Sequence, residues 1–390
     1  MMITLFQSWG CSQDIDIHFE SNSKYPIYAW GGLEDSEKRY LELKEAGINH
    51  IISWFDDIGY VKNALDYGEK AGVKLIVGCP ELRTQMISTV EELRHYPALS
   101  GYFLKDEPNS SDFERLAEQV ETVQKLDSIN PAYINLFPTY ASRNQLGSRY
   151  YRDYVENFVE TVKTKIISFD HYPITNRGMR GSWFKNLEII SHVARKEDLP
   201  FWAFALTVAH EPYPLVEMEH LRLQVYSNLV YGASALQYFT YWTPSPGQRN
   251  FREGPIKADG SRSIVYESVK NMNRELQEIA PIFQNSRVIS VGHLGKDIPD
   301  GTRRYEPCSP VVSISSDNKG AIISTLRGED YTVLAIVNGS YKEGIAIKIS
   351  FDKSKQIYFM GKRNLGKPLD GETHVSDLPP GDIVIYSWSN

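Results

Sequence analysis

The chain is poor in cysteine, because its 390 residues include only Cys11, Cys79 and Cys308. Three scattered thiols are too few for a disulfide framework or a cysteine-based zinc site, and a chain of this length buries a core large enough to need neither. No spacing of His, Asp and Glu matches a known metal motif. We therefore expect neither a metal ion nor another cofactor.

Positive charge and long hydrophobic runs are also scarce. The formal net charge is −7, without a basic stripe, which disfavours a nucleic-acid partner. No apolar run approaches the roughly 18 residues that a membrane span requires. A Gly-rich phosphate loop and a Gly-x-Ser-x-Gly elbow are both missing, which argues against a dinucleotide-binding sheet and a serine esterase. The oligomeric state stays open.

The N-terminal segment leaves localisation open. It ends in Ser8-Trp9-Gly10-Cys11, which faintly resembles a lipoprotein cleavage site, but a basic start and a leucine three residues before the cysteine are absent. We interpret the segment as a first strand or a trimmed N-terminus.

Eight short β-rich runs, each followed by a segment of helical periodicity, organise the first ~280 residues. In the fourth helix, apolar side chains from Phe113 to Val123 recur on one face. Strands joined through helices run parallel, and eight such units over roughly 250 residues indicate a closed (β/α)8 barrel. The runs open near Tyr25, His50, Lys74, Gly101, Ala132, Lys165, Pro200 and Ala235.

The character of the chain changes after about Phe283. β-rich runs then follow one another without helices, separated by turn sequences such as Asn338-Gly339 and Pro379-Pro380-Gly381. This pattern predicts a small antiparallel β-sandwich. We therefore expect a barrel over residues 1–284 and a sandwich over 285–390 that packs against it.

Polar and aromatic residues cluster where the predicted barrel strands end, which is the end that carries the active site in this fold. Plentiful Tyr and Trp suit sugar rings, although such residues are more often plain core. The candidate residues, in strand order, are Trp30; Trp54, Asp56 and Asp57; Asp106 and Glu107; Asn135; Asp170, His171 and Tyr172; Glu211; and Tyr238 and Trp242.

The strongest candidate is Glu107, in the run Phe103-Leu104-Lys105-Asp106-Glu107-Pro108. Two acids after a strand are often solvated loop charges, or a favourable charge for the next helix. Here the preceding segment is apolar and the proline fixes the exit of the chain, which favours a functional role.

The Asp-Glu-Pro at this strand end resembles the Asn-Glu-Pro of the clan A glycoside hydrolases, which include the family 42 β-galactosidases. The runs FDHYP, FWAF and YFTYW also resemble uncharacterised glycoside hydrolases of gut Bacteroidales. The resemblance covers the barrel and, loosely, the sandwich. It implies a carbohydrate substrate, a periplasmic or cell-envelope location, Glu107 as acid/base, Trp242 as a sugar platform, and His171 and Tyr172 near the nucleophile.

The chain departs from that clan at strand seven, where the clan has its nucleophilic Glu. Trp202 to Thr207 contain no acid. A glycosidase needs two carboxylates, ~5–5.5 Å apart when retaining and ~6.5–9.5 Å when inverting. Asp170 is the favoured second carboxylate, ahead of Glu211 and of Asp56 or Asp57.

Three functions are therefore open. The favoured one is a glycoside hydrolase, with Asp106, Asn135 and the other strand-end residues contacting the sugar. The loss of the strand-seven Glu would instead suit a non-catalytic carbohydrate-binding barrel. A metal-dependent lyase or isomerase would require Asp170, His171 and Glu107 to bind a cation.

Overall fold

The computed structural model of the chain describes residues 23–33, 36–245, 247, 249–361 and 364–390. Cys11 and the residues before it, on which the N-terminal interpretation rests, lie outside the described residues. Among the residues that the structure describes, no helix is long and apolar enough to cross a membrane.

Eight parallel strands close into a barrel, which confirms the predicted fold. The first strand pairs with both the second and the eighth, so the sheet has no free edge. The strands are β1 (Ile27–Trp30), β2 (His50–Trp54), β3 (Lys74–Gly78), β4 (Leu99–Asp106), β5 (Ala132–Leu136), β6 (Ile167–Phe169), β7 (Phe201–Leu206) and β8 (Ala233–Phe239).

Helices form the outer layer, each burying an apolar face against the barrel. In the helix after β4 the buried residues are Phe113, Leu116, Val120 and Val123, as the periodicity predicts. The helices are α1 (Glu37–Glu45), α2 (Ile58–Ala71), α3 (Glu81–Thr84), α4 (Met86–Leu93), α5 (Phe113–Leu126), α6 (Arg143–Leu146), α7 (Tyr151–Val162), α8 (Trp183–Lys196), α9 (Met218–Val230) and α10 (Ile264–Gln284). A small hairpin of Ile174–Thr175 and Gly178–Met179 follows β6.

Two antiparallel sheets follow α10 and form the predicted sandwich. One has six strands in the order β9-β11-β12-β17-β14-β15, and the other has three in the order β10-β13-β16. The strands are β9 (Arg287–Leu294), β10 (Val311–Ser315), β11 (Ala321–Arg327), β12 (Tyr331–Asn338), β13 (Ile345–Phe351), β14 (Tyr358–Gly361), β15 (Asn364–Pro368), β16 (Thr373–Leu378) and β17 (Ile383–Ser389).

The six-stranded sheet is buried on both faces. Strand alternation sends Ile322 and Val333 into the core shared with the barrel helices, and Ile323 and Leu334 into the core of the sandwich. Strands β11 and β12 pack against α9. The sandwich is thus joined to the barrel through a continuous apolar core on the side of the helix that follows β7.

Candidate active site

A cavity of about 570 Å³ opens at the carboxyl ends of the barrel strands. This is the end at which barrel enzymes carry their active sites. Of the predicted site residues, it brings together Trp30, Asp106, Glu107, Asn135, Asp170, Tyr172 and Glu211; its other lining residues are Tyr140, Gln145, Phe204, His210, Pro212, Tyr213, Phe239 and Arg249.

Strand β4 supplies two neighbouring acids to this one cavity. Successive side chains of a strand point to opposite faces, so Asp106 and Glu107 would diverge if the strand continued. Instead the backbone of Glu107 adopts a left-handed conformation with φ of +46°, which non-glycine residues adopt at a cost and which is found in active sites. The Glu107 N–H donates to the carbonyl oxygen of Asn135 at 2.8 Å and holds this turn.

The charges of the three inner acids are coupled. Burial and the adjacent negative charge of Asp106 raise the pKa of Glu107 to about 7, against the opposing effect of Arg249. Burial, then the charges of Glu107 and Asp106, raise the pKa of Asp170 well above its usual range. Burial also raises the pKa of Asp106. Each of these carboxyls is therefore harder to ionise than a carboxyl in water.

One amide bridges two of these carboxyls. The Nδ2 of Asn135 donates to Oδ1 of Asp106 at 3.1 Å and to Oδ1 of Asp170 at 2.9 Å. Because both bonds start from one nitrogen, the two oxygens lie within about 6 Å of each other, the sum of the two bond lengths. Asn135 therefore sets the spacing between the acid pair of β4 and the acid that follows β6.

Aromatic side chains form another part of the cavity wall. The Trp30 ring meets Phe204 edge-on at 5.6 Å between centroids, and Tyr172 stacks on Phe239 at 5.7 Å. These residues come from β1, β7, β8 and the end of β6, whereas the acids come from β4 and β6. The cavity thus combines acidic and aromatic side chains, which suit the polar edges and the C–H faces of a sugar ring.

The rim is made by loops after β7 and β8. Glu211 is exposed at this rim, and its N–H donates to the carbonyl oxygen of Arg249 at 3.3 Å. Arg249, which the sequence analysis did not single out, lines the cavity, and its charge opposes the rise in the pKa of Glu107. Its position depends on loop packing, for which the sequence carries no periodic signal.

Tyr140 and Tyr213 are cavity residues that the sequence analysis did not single out. Arg180 lies over the Tyr140 ring at 4.4 Å and donates to the hydroxyl of Tyr213 at 3.3 Å. Both tyrosines follow barrel strands, after β5 and β7, and their position at strand ends was the only available signal.

Six predicted residues lie outside the cavity lining, two of them on or after β8. Tyr238 points away from the barrel interior, and its hydroxyl donates to Oδ1 of Asn273 on α10 at 2.8 Å. Alternation along β8 puts its neighbour Gln237 inside instead. Trp242 lies beneath the guanidinium of Arg39 at 4.8 Å, away from the acids.

The β2 candidates also lie away from the cavity lining. Trp54 packs edge-on against Phe103 at 6.1 Å and beneath Arg83 at 4.5 Å. Asp56 is exposed. Asp57 accepts hydrogen bonds from two backbone N–H groups and caps the start of α2.

His171 lies behind the cavity wall rather than in it. Its ring contacts Tyr140 edge-on at 4.9 Å, and its Nε2 lies 3.3 Å from the hydroxyl of Ser182. Burial lowers the pKa of this imidazole to about 3, so it is neutral at physiological pH. Within the described part of the chain, no group of three His, Cys, Asp or Glu side chains is arranged to hold a metal ion.

No protein-family model matches the sequence, and no curated protein matches it. Solved structures do match. A β-galactosidase from Bacillus circulans sp. alkalophilus aligns with a TM-score of 0.65 at 8% identity, over 95% of this chain and 100% of that one. Gan42B, a GH42 β-galactosidase from G. stearothermophilus, aligns at 0.62 with 8% identity, over 95% and 99%.

A GH27 β-L-arabinopyranosidase from Geobacillus stearothermophilus aligns at a TM-score of 0.54 with 10% identity, over 95% and 97% of the two chains. The chain spans 60% and 58% of the β-galactosidases from Marinomonas ef1 and Halorubrum lacusprofundi, both at a TM-score of 0.49. Identities this low bear on the fold alone. The chain has the barrel fold shared by glycoside hydrolases, the family 42 β-galactosidases among them.

Proposed function

We propose that this chain is a glycoside hydrolase in which Glu107 is the general acid/base and Asp170 is the second carboxylate. The observation that carries the proposal is the convergence of Asp106, Glu107 and Asp170 on one strand-end cavity that aromatic side chains also line. The glycosidase fold of the structural neighbours supports it.

The chemistry divides between the two acids. Protonated Glu107 donates its proton to the glycosidic oxygen as the leaving group departs. Asp170 must first lose its own proton, against the burial and neighbouring charges that raise its pKa, and its carboxylate then attacks the anomeric carbon or activates a water molecule. A pKa of about 7 for Glu107 suits this role, because the acid keeps its proton near neutral pH and releases it without a large penalty.

Asp106 and the aromatic wall have binding roles in this proposal. Asp106 accepts from Asn135 and has its second oxygen available for a sugar hydroxyl. Its negative charge also keeps the proton on Glu107. Trp30 offers a ring face for sugar stacking, the role that the family resemblance implied for Trp242.

The test is hydrolysis of a panel of aryl glycosides and oligosaccharides by the wild type and by Glu107→Gln and Asp170→Asn. General acid/base catalysis contributes about 10²–10⁴-fold, so we expect losses of that order or more in both variants on the same sugar. Asp56→Asn is the matched control, because this acid is exposed outside the cavity. Full activity in Glu107→Gln would contradict the acid/base assignment.

Glu211 is the competitor for the second carboxylate, since it also lines the cavity. Loss of activity in Glu211→Gln with Asp170→Asn unaffected would transfer the role to Glu211. NMR observation of the first-formed anomer separates retention from inversion.

A carbohydrate-binding barrel is the second candidate function. The observation that favours it is the absence of any acid in β7. If no glycoside of the panel is hydrolysed, but calorimetry detects sugar binding that is weaker in Trp30→Ala, the chain is a carbohydrate-binding barrel and not a hydrolase.

A further inference from the structure

A network of buried polar side chains crosses the barrel interior beneath the acids of the cavity. Tyr133, Ser168 and Gln237 are fully buried, and Asn135 is 2% exposed. Barrel interiors are dominated by branched apolar residues, and a buried polar group is costly unless it is hydrogen-bonded. The aliphatic and aromatic side chains that pack nearby include Ile52, Ile76, Phe103 and Trp202.

The hydrogen bonds of this network lead from Tyr133 to Asn135, with one cross-contact between the Tyr133 and Ser168 hydroxyls, whose oxygens lie 2.9 Å apart. The Tyr133 hydroxyl donates to Oε1 of Gln237 at 2.6 Å. The Nε2 of Gln237 then donates to the Ser168 hydroxyl at 2.9 Å. Ser168 in turn donates to Oδ1 of Asn135 at 2.9 Å.

This direction fixes the orientation of the Asn135 amide. An amide can be turned over without changing its shape, and only its partners decide which end is the donor. Because Ser168 presents a proton to Oδ1, the NH₂ group must face the opposite way, where both of its hydrogens are used by Asp106 and Asp170. With the amide reversed, its oxygen would face two carboxylates.

We propose that Tyr133, Gln237 and Ser168 form a positioning relay that holds the Asn135 amide as a donor to Asp106 and Asp170, and so favours the ionised form of these two carboxyls. This rests on the proposed function. A hydrogen bond donated to a carboxylate favours its ionised form, and Asn135 opposes the rise that burial imposes on the pKa of Asp170. Glu107 receives no such bond from Asn135.

The charged and titratable groups that face Asp170 come from several elements. Asp106 and Glu107 face it from β4, and Tyr133 from β5. Tyrosines from the loop after β5, from α7 and from the end of β6 complete the set, namely Tyr140, Tyr151, Tyr154 and Tyr172. Tyrosines stay neutral across the acidic range. The two β4 acids and Asn135 therefore have the largest effect on the ionisation of Asp170.

Ser168→Ala tests the relay, because it removes the proton that fixes Asn135 without touching a carboxyl. We expect the acidic limb of the kcat/KM profile to move upward by about one pH unit with little change in KM. Tyr133→Phe, which removes the first donor, should move it less in the same direction. Ser53→Ala is the control: Ser53 is also a buried barrel serine, but it donates to the Gly31 carbonyl and should leave the limb in place.

A ¹³C NMR titration of the side-chain carboxyls separates failure of the relay from failure of the hydrolase assignment. The relay requires a higher pKa for Asp170 in Ser168→Ala than in the wild type, whether or not any glycoside is cleaved. An unchanged Asp170 titration in a Ser168→Ala protein with a native circular dichroism spectrum would overturn the relay. If no glycoside is hydrolysed but the titration of Asp170 is shifted in Ser168→Ala, only the hydrolase assignment is overturned.

Discussion

Glu107 combines a left-handed backbone with a carboxyl that is costly to ionise. Its φ is +46°, and burial and the charge of Asp106 raise its pKa to about 7. Both features oppose stability, and residues with such features cluster at functional sites. The backbone turn brings two successive acids into one cavity, and the burial keeps the second of them protonated up to near neutral pH.

Glu107→Gln should therefore stabilise the folded protein at high pH. A raised pKa means that the folded state binds the proton more readily than the unfolded chain does, so stability is gained as pH falls from about 7 and lost as pH rises through it. We expect Glu107→Gln to raise the free energy of unfolding by about 1–2 kcal/mol at pH 8. Solvent screening limits the effect, because the carboxyl is partly exposed.

Urea unfolding at pH 4 and pH 8 measures this effect. The difference in unfolding free energy between Glu107→Gln and the wild type should be smaller at pH 4, where both side chains are neutral. A variant that is less stable than the wild type at pH 8 would show that the charged form of Glu107 is favourably held in the folded protein.

At the scale of elements, a residue that follows a barrel strand can either line the cavity or cap the next helix. Asp57 illustrates the second role. It was one of the weaker candidates for the second carboxylate, but its Oδ1 accepts from the N–H groups of Gly59 and Tyr60 at 2.7 and 3.1 Å. An acid directly after a strand can cap the next helix, and residue type alone does not separate this role from catalysis.

Asp57→Ala should lower the free energy of unfolding by about 1 kcal/mol, because two N–H groups at the start of α2 lose their acceptor. Chemical denaturation measures the loss. The neighbouring Asp56 is the matched control, since it is exposed and does not cap the helix. The unfolding free energy of Asp56→Ala should be close to that of the wild type. Equal losses in the two variants would contradict the capping role.

At the scale of the whole molecule, the barrel and the sandwich share buried contacts. His293 on β9 lies 2.8 Å from the hydroxyl of Tyr231 and edge-on to Phe184 at 4.9 Å. Burial lowers the pKa of this imidazole to about 4. The contact between the two parts therefore contains a histidine that must stay neutral.

Acid should weaken this contact. A lowered pKa means that the unfolded chain takes up the proton first, so stability falls as pH drops from about 6.5 towards 4. We expect His293→Gln to reduce the slope of unfolding free energy against pH in that range. His95→Gln, at an exposed site, is the control. An unchanged slope in His293→Gln would mean that His293 does not contribute to acid destabilisation.

Local sequence patterns were enough to predict the barrel and the sandwich. Alternating strands and helices, the apolar face of α5 and the turn sequences after Phe283 are short-range signals, and each helix or strand follows from residues within a few positions of one another. The position of Glu107 at a strand end, and its nearness to Asp106, were also local facts. We could therefore propose it from the sequence.

The tertiary structure decided which strand-end residues meet. The parallel pairing of β4, β5 and β6 brings Asn135 between Asp106 and Asp170, and these residues are far apart in the chain. Alternation along β8 turns Gln237 inward and Tyr238 outward, so a shift of one residue separates a barrel-interior residue from a helix contact. The sequence by itself determined the helices and strands and their order. The direction in which each side chain points, and hence the lining of the cavity, depended on strand register and loop packing, which are long-range and which no local pattern encodes.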